Sequence, residues 1–170
     1  MEKSLTEAYE DVEQGFFNIF KQNYQENKSY QMVGSCALTA VILKNSLHIG
    51  NAGDCEGVIL SEKEAAMTNL RLNAGEKFEQ ARLYKKFPGE DDIVRCRTAC
   101  YVKGRLQPTR SLGDFYLKFK EYNFTKLAVF TGPYIEAAPL LTHFPLNDNH
   151  QSLILASDGL WDELDELQIH

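Results

Sequence analysis

One hundred and seventy residues suffice for one domain with a substantial core and fall short of two. The composition, 44% hydrophobic and 25% charged, is that of an ordinary globular protein, and a net charge of −6 argues against nucleic acid or an anionic membrane as a partner. No apolar run approaches the roughly 20 residues that cross a bilayer, and Met1-Glu2-Lys3-Ser4 lacks the basic start and apolar centre of a signal peptide, so the cytoplasm, the nucleus or an organelle lumen is the expected location.

Ser4 with Glu7 reads as a capping box. Leu5, Ala8, Val12, Phe16, Ile19 and Phe20 then recur at helical spacing, which predicts an amphipathic helix over residues 5–24 with its apolar stripe packed on a sheet or another helix. Cys36 to Leu43 is an apolar strand ending in the turn residues Lys44-Asn45-Ser46, and Leu47–Ala52 and Gly57–Leu60 follow as strands around the Gly53-Asp54 corner. Three short strands in succession predict an antiparallel meander. A helix over Gly75–Phe87 is stopped by Pro88-Gly89, and Glu90-Asp91-Asp92 reads as a solvated loop. Tyr101-Val102 and Arg105-Leu106 predict a hairpin around Lys103-Gly104. The alternating aromatics and lysines of Phe115–Tyr122 read as a solvated helix face; Ile154 and its neighbours return to a buried strand, and a helix begins over Glu163–Leu167. Blocks of strands and helices without an internal repeat or linker give an α+β class and one domain over residues 1–170.

Cys36, Cys55, Cys96 and Cys100 form no C-x-x-C pair and no zinc-finger spacing, so they are expected as reduced thiols, which favours a reducing compartment. His48, His143, His150 and His170 show no ligand spacing either.

The most informative stretch is Leu153-Ile154-Leu155-Ala156-Ser157-Asp158-Gly159-Leu160-Trp161-Asp162. An apolar strand ends in Asp-Gly, and a second acid follows four residues after the first. Gly159 is expected to let the backbone turn sharply, so that Asp158 stands where the strand leaves the core. Carboxylates held this way suit a hard divalent cation.

This segment resembles the Asp-Gly-Leu/Ile-Trp-Asp motif of the metal-dependent (type 2C, PPM) protein serine/threonine phosphatases. Three further segments resemble that family in the same order along the chain: Gly34-Ser35, Leu47-His48-Ile49-Gly50-Asn51-Ala52-Gly53-Asp54-Cys55, and Leu106-Gln107-Pro108-Thr109-Arg110-Ser111-Leu112-Gly113-Asp114. The resemblance implies two packed antiparallel β-sheets flanked by helices, here incomplete at both ends. It implies hydrolysis of phosphoserine and phosphothreonine in phosphoproteins by a water bridging two Mg²⁺ or Mn²⁺ ions, with a third metal in some members. On this chain it assigns a metal-ligating and catalytic role to Asp158, and metal roles to Asp54 and Asp162, whose alternative is turn formation and helix capping. Arg110, Gly113, Asp114 and Gly159 are expected to shape the supporting loops; Arg110 could alternatively bind phosphate directly.

The departures from the pattern are as informative. The family's Asp-Gly-His-Gly-Gly and Asp-Asn metal motifs are absent, and Gly53-Asp54-Cys55-Glu56 stands in place of Gly-Asp-Ser-Arg. One ligand of a four-carboxylate cluster does not hold two Mg²⁺ ions, so the chain is expected to be a partial catalytic domain, inactive alone, with unpaired sheet edges and exposed apolar surface. The alternative is a non-catalytic relative that binds a phosphoprotein or a phosphatase partner. Tyr101–Lys118 and the insertion before it resemble the pyruvate-dehydrogenase-phosphatase-like branch. Nucleic-acid binding through Lys118, Lys120 and Lys126 is disfavoured by the acidic balance, and the oligomeric state is left open.

Overall fold

The computed structural model describes residues 1–123 and 129–164. A long helix α1 (Glu2–Asn23) opens the chain. It starts two residues before Ser4, so the expected capping box lies inside the helix. Its buried line is Leu5, Tyr9 and Phe20, with Phe16 and Phe17 partly covered, whereas Val12 and Ile19 of the expected stripe are exposed at 55% and 60%. The i, i+4 series from Leu5 through Tyr9 to Glu13 faces the protein because two polar partners lie there. The Tyr9 hydroxyl donates to Gly50 O at 2.7 Å, and the Glu13 carboxylate accepts from Lys118.

The strands β1 (Gly34–Ser35), β2 (Ala37–Leu43), β3 (Ser46–Ala52), β4 (Glu56–Ser61) and β5 (Ala65–Met67) follow. They do not form one meander. β2 and β3 pair antiparallel in a first sheet, completed by β9 (Leu140–Pro145) in the order β2-β3-β9. β4 belongs to a second sheet, ordered β10-β4-β5 with β10 (His150–Ala156). The chain changes sheet at Gly53-Asp54, where Gly53 adopts φ +137°, a conformation that suits glycine. Leu47 and Ile49 of the first sheet and Val58 and Ile59 of the second are buried, and a cleft lined by Leu47, Ile59 and Leu153 lies between residues of both. Two three-stranded antiparallel sheets with few helices are thus observed, as the resemblance implied.

β10 lies at a sheet edge. Its Leu153 and Ile154 are half-buried and Leu155 is exposed, in contrast to the buried strand expected, because β4 covers it on one side only. Ile42 and Leu43 at the end of the edge strand β2 are also exposed.

Between the sheet-forming segments, α2 (Lys77–Lys86) lies over a second core that includes Leu83, Phe87, Ile93, Val102, Leu117 and Tyr134. β6 (Val94–Cys96) and β7 (Cys100–Val102) form a hairpin in which Cys96 faces Cys100. These two are joined as a disulfide, with Cα atoms 4.0 Å apart. Directly opposed positions bring the thiols together, which corrects the expectation of four reduced cysteines. The chain then turns at Lys103 and Gly104, both at positive φ, with a bridge between Val102 and Leu106. Glu90 and Asp92 are not an idle loop cluster, for both pair with the buried ammonium of Lys103.

The largest difference from expectation is at Phe115–Tyr122. This stretch forms two short 3-10 turns, Phe115–Leu117 and Lys120–Tyr122, with Phe115, Tyr116, Leu117 and Lys118 buried. Phe17 stacks on Phe119 with ring centroids 4.7 Å apart, and Phe20 meets Tyr122 edge-on at 4.7 Å. The aromatics of α1 thus have their partners here, and such pairs add to area burial. Lys118 donates to Glu13 at 2.5 Å and to Ser111 O at 2.7 Å, so it is an internal bridge and not part of a basic surface. Lys126, His170 and the greater part of the helix expected from Glu163 lie outside the described residues.

Candidate active site

The four motifs resembling one family are sequence-distant, and two of them pair directly. β1 and β8 (Leu112–Gly113) form a two-stranded ladder with Gly34 opposite Gly113. Asp114 follows in the left-handed region at φ 50°, accepts from Ser111 Oγ at 2.8 Å and donates its backbone N–H to Val33 O at 2.8 Å. A Cβ on Gly34 would stand 1.9 Å from Asp114 Oδ2. Only glycine lets the two motifs approach so closely. Burial pushes the Asp114 carboxyl up, against the Ser111 hydrogen bond and the Lys118 charge that pull it down.

Arg110 points away from solvent. Its Nη1 donates to Ala138 O at 2.7 Å, and Glu136 lies 3.6 Å from its Nη2. Burial lowers the guanidinium's pKa. Held by a carbonyl and a carboxylate, this side chain supports the segment around Ala138.

Asp54 lies at the sheet-changing corner and is 8% exposed. Its Oδ1 accepts from the Cys36 thiol at 3.2 Å. Asp158 begins the short helix α3 (Asp158–Trp161) immediately beyond β10. The Trp161 indole anchors that helix, donating to Glu56 O at 3.1 Å and Ala156 O at 3.0 Å, one carbonyl from each paired strand. Gly159 is inside the helical turn; it is not among the glycines at positive φ, and a Cβ there would meet only Ser157 Oγ, at 3.6 Å. The sharp turn expected of Gly159 is therefore made by a helical start that other residues could adopt.

The interaction with the Cys36 thiol lowers the pKa of Cys55 and outweighs burial and the charges of Asp54, Asp158 and Glu56, which all raise it. The same interaction, with burial, pushes Cys36 up. The β4–β10 ladder ends with Ala156 opposite Glu56, so Asp54 and Asp158 each lie two residues beyond the same end of it. Asp162 is paired with Arg71, at 3.1 Å. Among the described residues no three His, Cys, Asp or Glu side chains form a group that could hold a metal ion. The acids present do not by themselves fit a two-metal centre.

Cys36, Arg71 and Trp161 are the neighbours that sequence reading left out of the site. Trp161 was within the motif, and its indole N–H needs an acceptor when half-buried. Arg71 carries no sequence signal.

The family model for protein phosphatase 2C matches residues 2–169. The chain belongs to that family. Among its relatives, probable protein phosphatase 2C 64 of Arabidopsis thaliana is 32% identical over 174 residues, covering 94% of this chain and 44% of that protein. Probable protein phosphatase 2C 28 of Oryza sativa subsp. japonica is 30% identical, again over 94% of this chain and 44% of that protein. The chain spans about half the length of the curated relatives it matches. The fold of protein phosphatase 2C is also found by structure. A C. elegans sex-determining protein superposes with a TM-score of 0.73 at 20% identity, over 99% of this chain and 36% of that one. Serine-threonine phosphatase 2C from Toxoplasma gondii gives 0.65 at 18% identity, over 98% and 53%. No helix among the described residues is long and apolar enough to cross a membrane.

Proposed function

We propose that this chain is a single partial domain of a metal-dependent protein serine/threonine phosphatase, over residues 1–170, and that it contributes Asp158 and Asp54 to a Mg²⁺ or Mn²⁺ site. The observation that supports this reading is that Asp54 and Asp158 each lie two residues beyond the same end of the β4–β10 ladder. Rigid strand ends suit carboxylates that must hold a hard cation. Bound divalent ions would supply an activated water and neutralise charge on the phosphoryl oxygens of a phosphoserine or phosphothreonine. Asp162, engaged by Arg71, is the weakest of the three candidates. Arg110, Gly113 and Asp114 support the loop, and Gly159 has no conformational duty. Further ligands have to come from outside these residues, so the chain by itself is proposed to be inactive. Its substrates are phosphoproteins, met in the cytoplasm or nucleus.

The test is Mn²⁺ titration of the purified chain followed by electron paramagnetic resonance, with hydrolysis of a phosphothreonine peptide measured in parallel. Weak Mn²⁺ binding, lost in Asp158→Asn, with no turnover, is the expected result. Binding that Asp158→Asn leaves unchanged would overturn the ligand assignment, and Mn²⁺-dependent turnover by the chain would overturn the inactivity. Phosphopeptide binding without metal or turnover would instead favour the non-catalytic reading.

A further inference from the structure

Two cysteines outside the hairpin disulfide meet at the corner that carries Asp54. Cys36 precedes β2 and Cys55 follows Asp54. In the β2–β3 register Ala37 faces Ala52, so continuing the ladder by one residue brings Cys36 beside Gly53. A Cβ on Gly53 would stand 2.4 Å from Cys36 Sγ. The sulfur therefore occupies the space that glycine leaves open, directly over the turn. There its hydrogen is donated to Asp54 Oδ1 at 3.2 Å, and the thiols of Cys36 and Cys55 act on one another's protonation. Both cysteines are half-buried, open to a small reagent. Cys55 also stands where the resembling motif carries serine, so the pair is a feature of this sequence.

We propose that Cys36 and Cys55 are a reversible dithiol site that a hydroperoxide converts to a disulfide. The peroxide transfers one oxygen to the first sulfur, oxidising it to a sulfenic acid and releasing water. The second sulfur attacks, the S–S bond forms, and the sulfenic oxygen leaves as a second water with the remaining thiol proton. In sum, two thiols and one hydrogen peroxide give one disulfide and two waters. The thiols lose two electrons and the peroxide gains them. A dithiol reductant reverses the step by exchange. Because the Cys36 S–H is consumed, the oxidised chain no longer offers Asp54 the hydrogen bond it accepts in the reduced form. The proposal stands whether or not Asp54 is a metal ligand.

The experiment is treatment of the purified, folded chain with hydrogen peroxide, near one equivalent and then in excess. Alkylation of the remaining thiols, digestion and mass spectrometry follow. The expected result is a peptide pair joined through Cys36 and Cys55, two hydrogen masses below the sum of its parts, abolished by dithiothreitol. Cys55→Ser and Cys36→Ser each give no such pair, and the remaining cysteine is trapped as its sulfenic acid by dimedone. Recovery of both cysteines alkylated after excess peroxide would overturn the proposal. So would a sulfinic acid at either position without the linked pair, or a link from either cysteine to Cys96 or Cys100. Circular dichroism before and after treatment establishes that the chain under test is folded.

Discussion

Arg71 holds Asp162 across 91 residues of sequence, with 3.1 Å between Nη1 and Oδ1. The same guanidinium lies 2.6 Å from Glu56 Oε1. It therefore ties the end of α3 to the start of β4, at the end of the β4–β10 ladder beyond which Asp54 and Asp158 lie. The exposed half of this bridge is worth little, because Asp162 is 61% exposed and screened by water. The Glu56 half is more enclosed, with 14% of its side chain exposed. Arg71→Ala is expected to cost about 1–3 kcal/mol, chiefly by leaving Glu56 without its donor. The midpoint of urea denaturation measures this. Asp162→Ala, as the control, should shift that midpoint far less.

Gly113→Ala should be among the most damaging single changes. The residue has φ +75°, and a Cβ would stand 2.4 Å from Val33 O and 2.5 Å from Phe16 Cε1. Its N–H also donates to Glu13 Oε2 at 2.8 Å. Left-handed strain and overpacking together predict a loss of about 2–4 kcal/mol. Thermal denaturation by circular dichroism would show it, and Gly159→Ala should leave the transition nearly unchanged.

Glu79 is a buried acid whose charge the fold stabilises. Burial alone would raise its carboxyl, but the Arg82 guanidinium, donating from Nε at 2.9 Å and Nη2 at 2.7 Å, and the Thr109 hydroxyl outweigh burial and hold it below its ordinary 4.5. The unfolded chain thus takes up the proton more readily than the folded one. The resulting stability is fully present above pH 4.5 and is lost as pH falls through the lower, folded value. Glu79→Gln is expected to cost about 2–3 kcal/mol at neutral pH. Urea titrations from neutral to acid pH should show the gap between the two proteins closing below about pH 4.5.

Tyr9 carries the polar link between α1 and the first sheet. Its hydroxyl donates to Gly50 O at 2.7 Å and lies 3.1 Å from Thr39 Oγ1. Tyr9→Phe keeps the ring and leaves the Gly50 carbonyl short of a donor, for an expected loss of about 1–2 kcal/mol. Amide exchange in α1 should quicken more than exchange in the core strands β3 and β4.

The strands 37–43, 46–52 and 56–61, the helix over 77–86 and the Asp-Gly-Leu-Trp-Asp segment were legible because each depends on neighbours within a few residues. The buried face of α1 was less so. Val12 and Ile19 fit the apolar period as well as Leu5 does, yet they lie outside, because Lys118 and the Gly50 carbonyl draw the face through Tyr9 and Glu13 inward. For Phe115–Tyr122 the alternation of aromatic and lysine residues misled, since Lys118 finds its acid 105 residues away.

By itself the sequence determined the α+β class, the family, and which acids stand at strand ends, since short-range periodicity and motif order are properties of adjacent residues. Only the tertiary structure decided that β3 and β4 part into different sheets and that Cys96 closes on Cys100. It alone decided that Arg71 captures Asp162 while Cys36 reaches Asp54 and Cys55. Each of these depends on a contact made after the chain has turned back on itself, and no local preference of either partner encodes such a meeting.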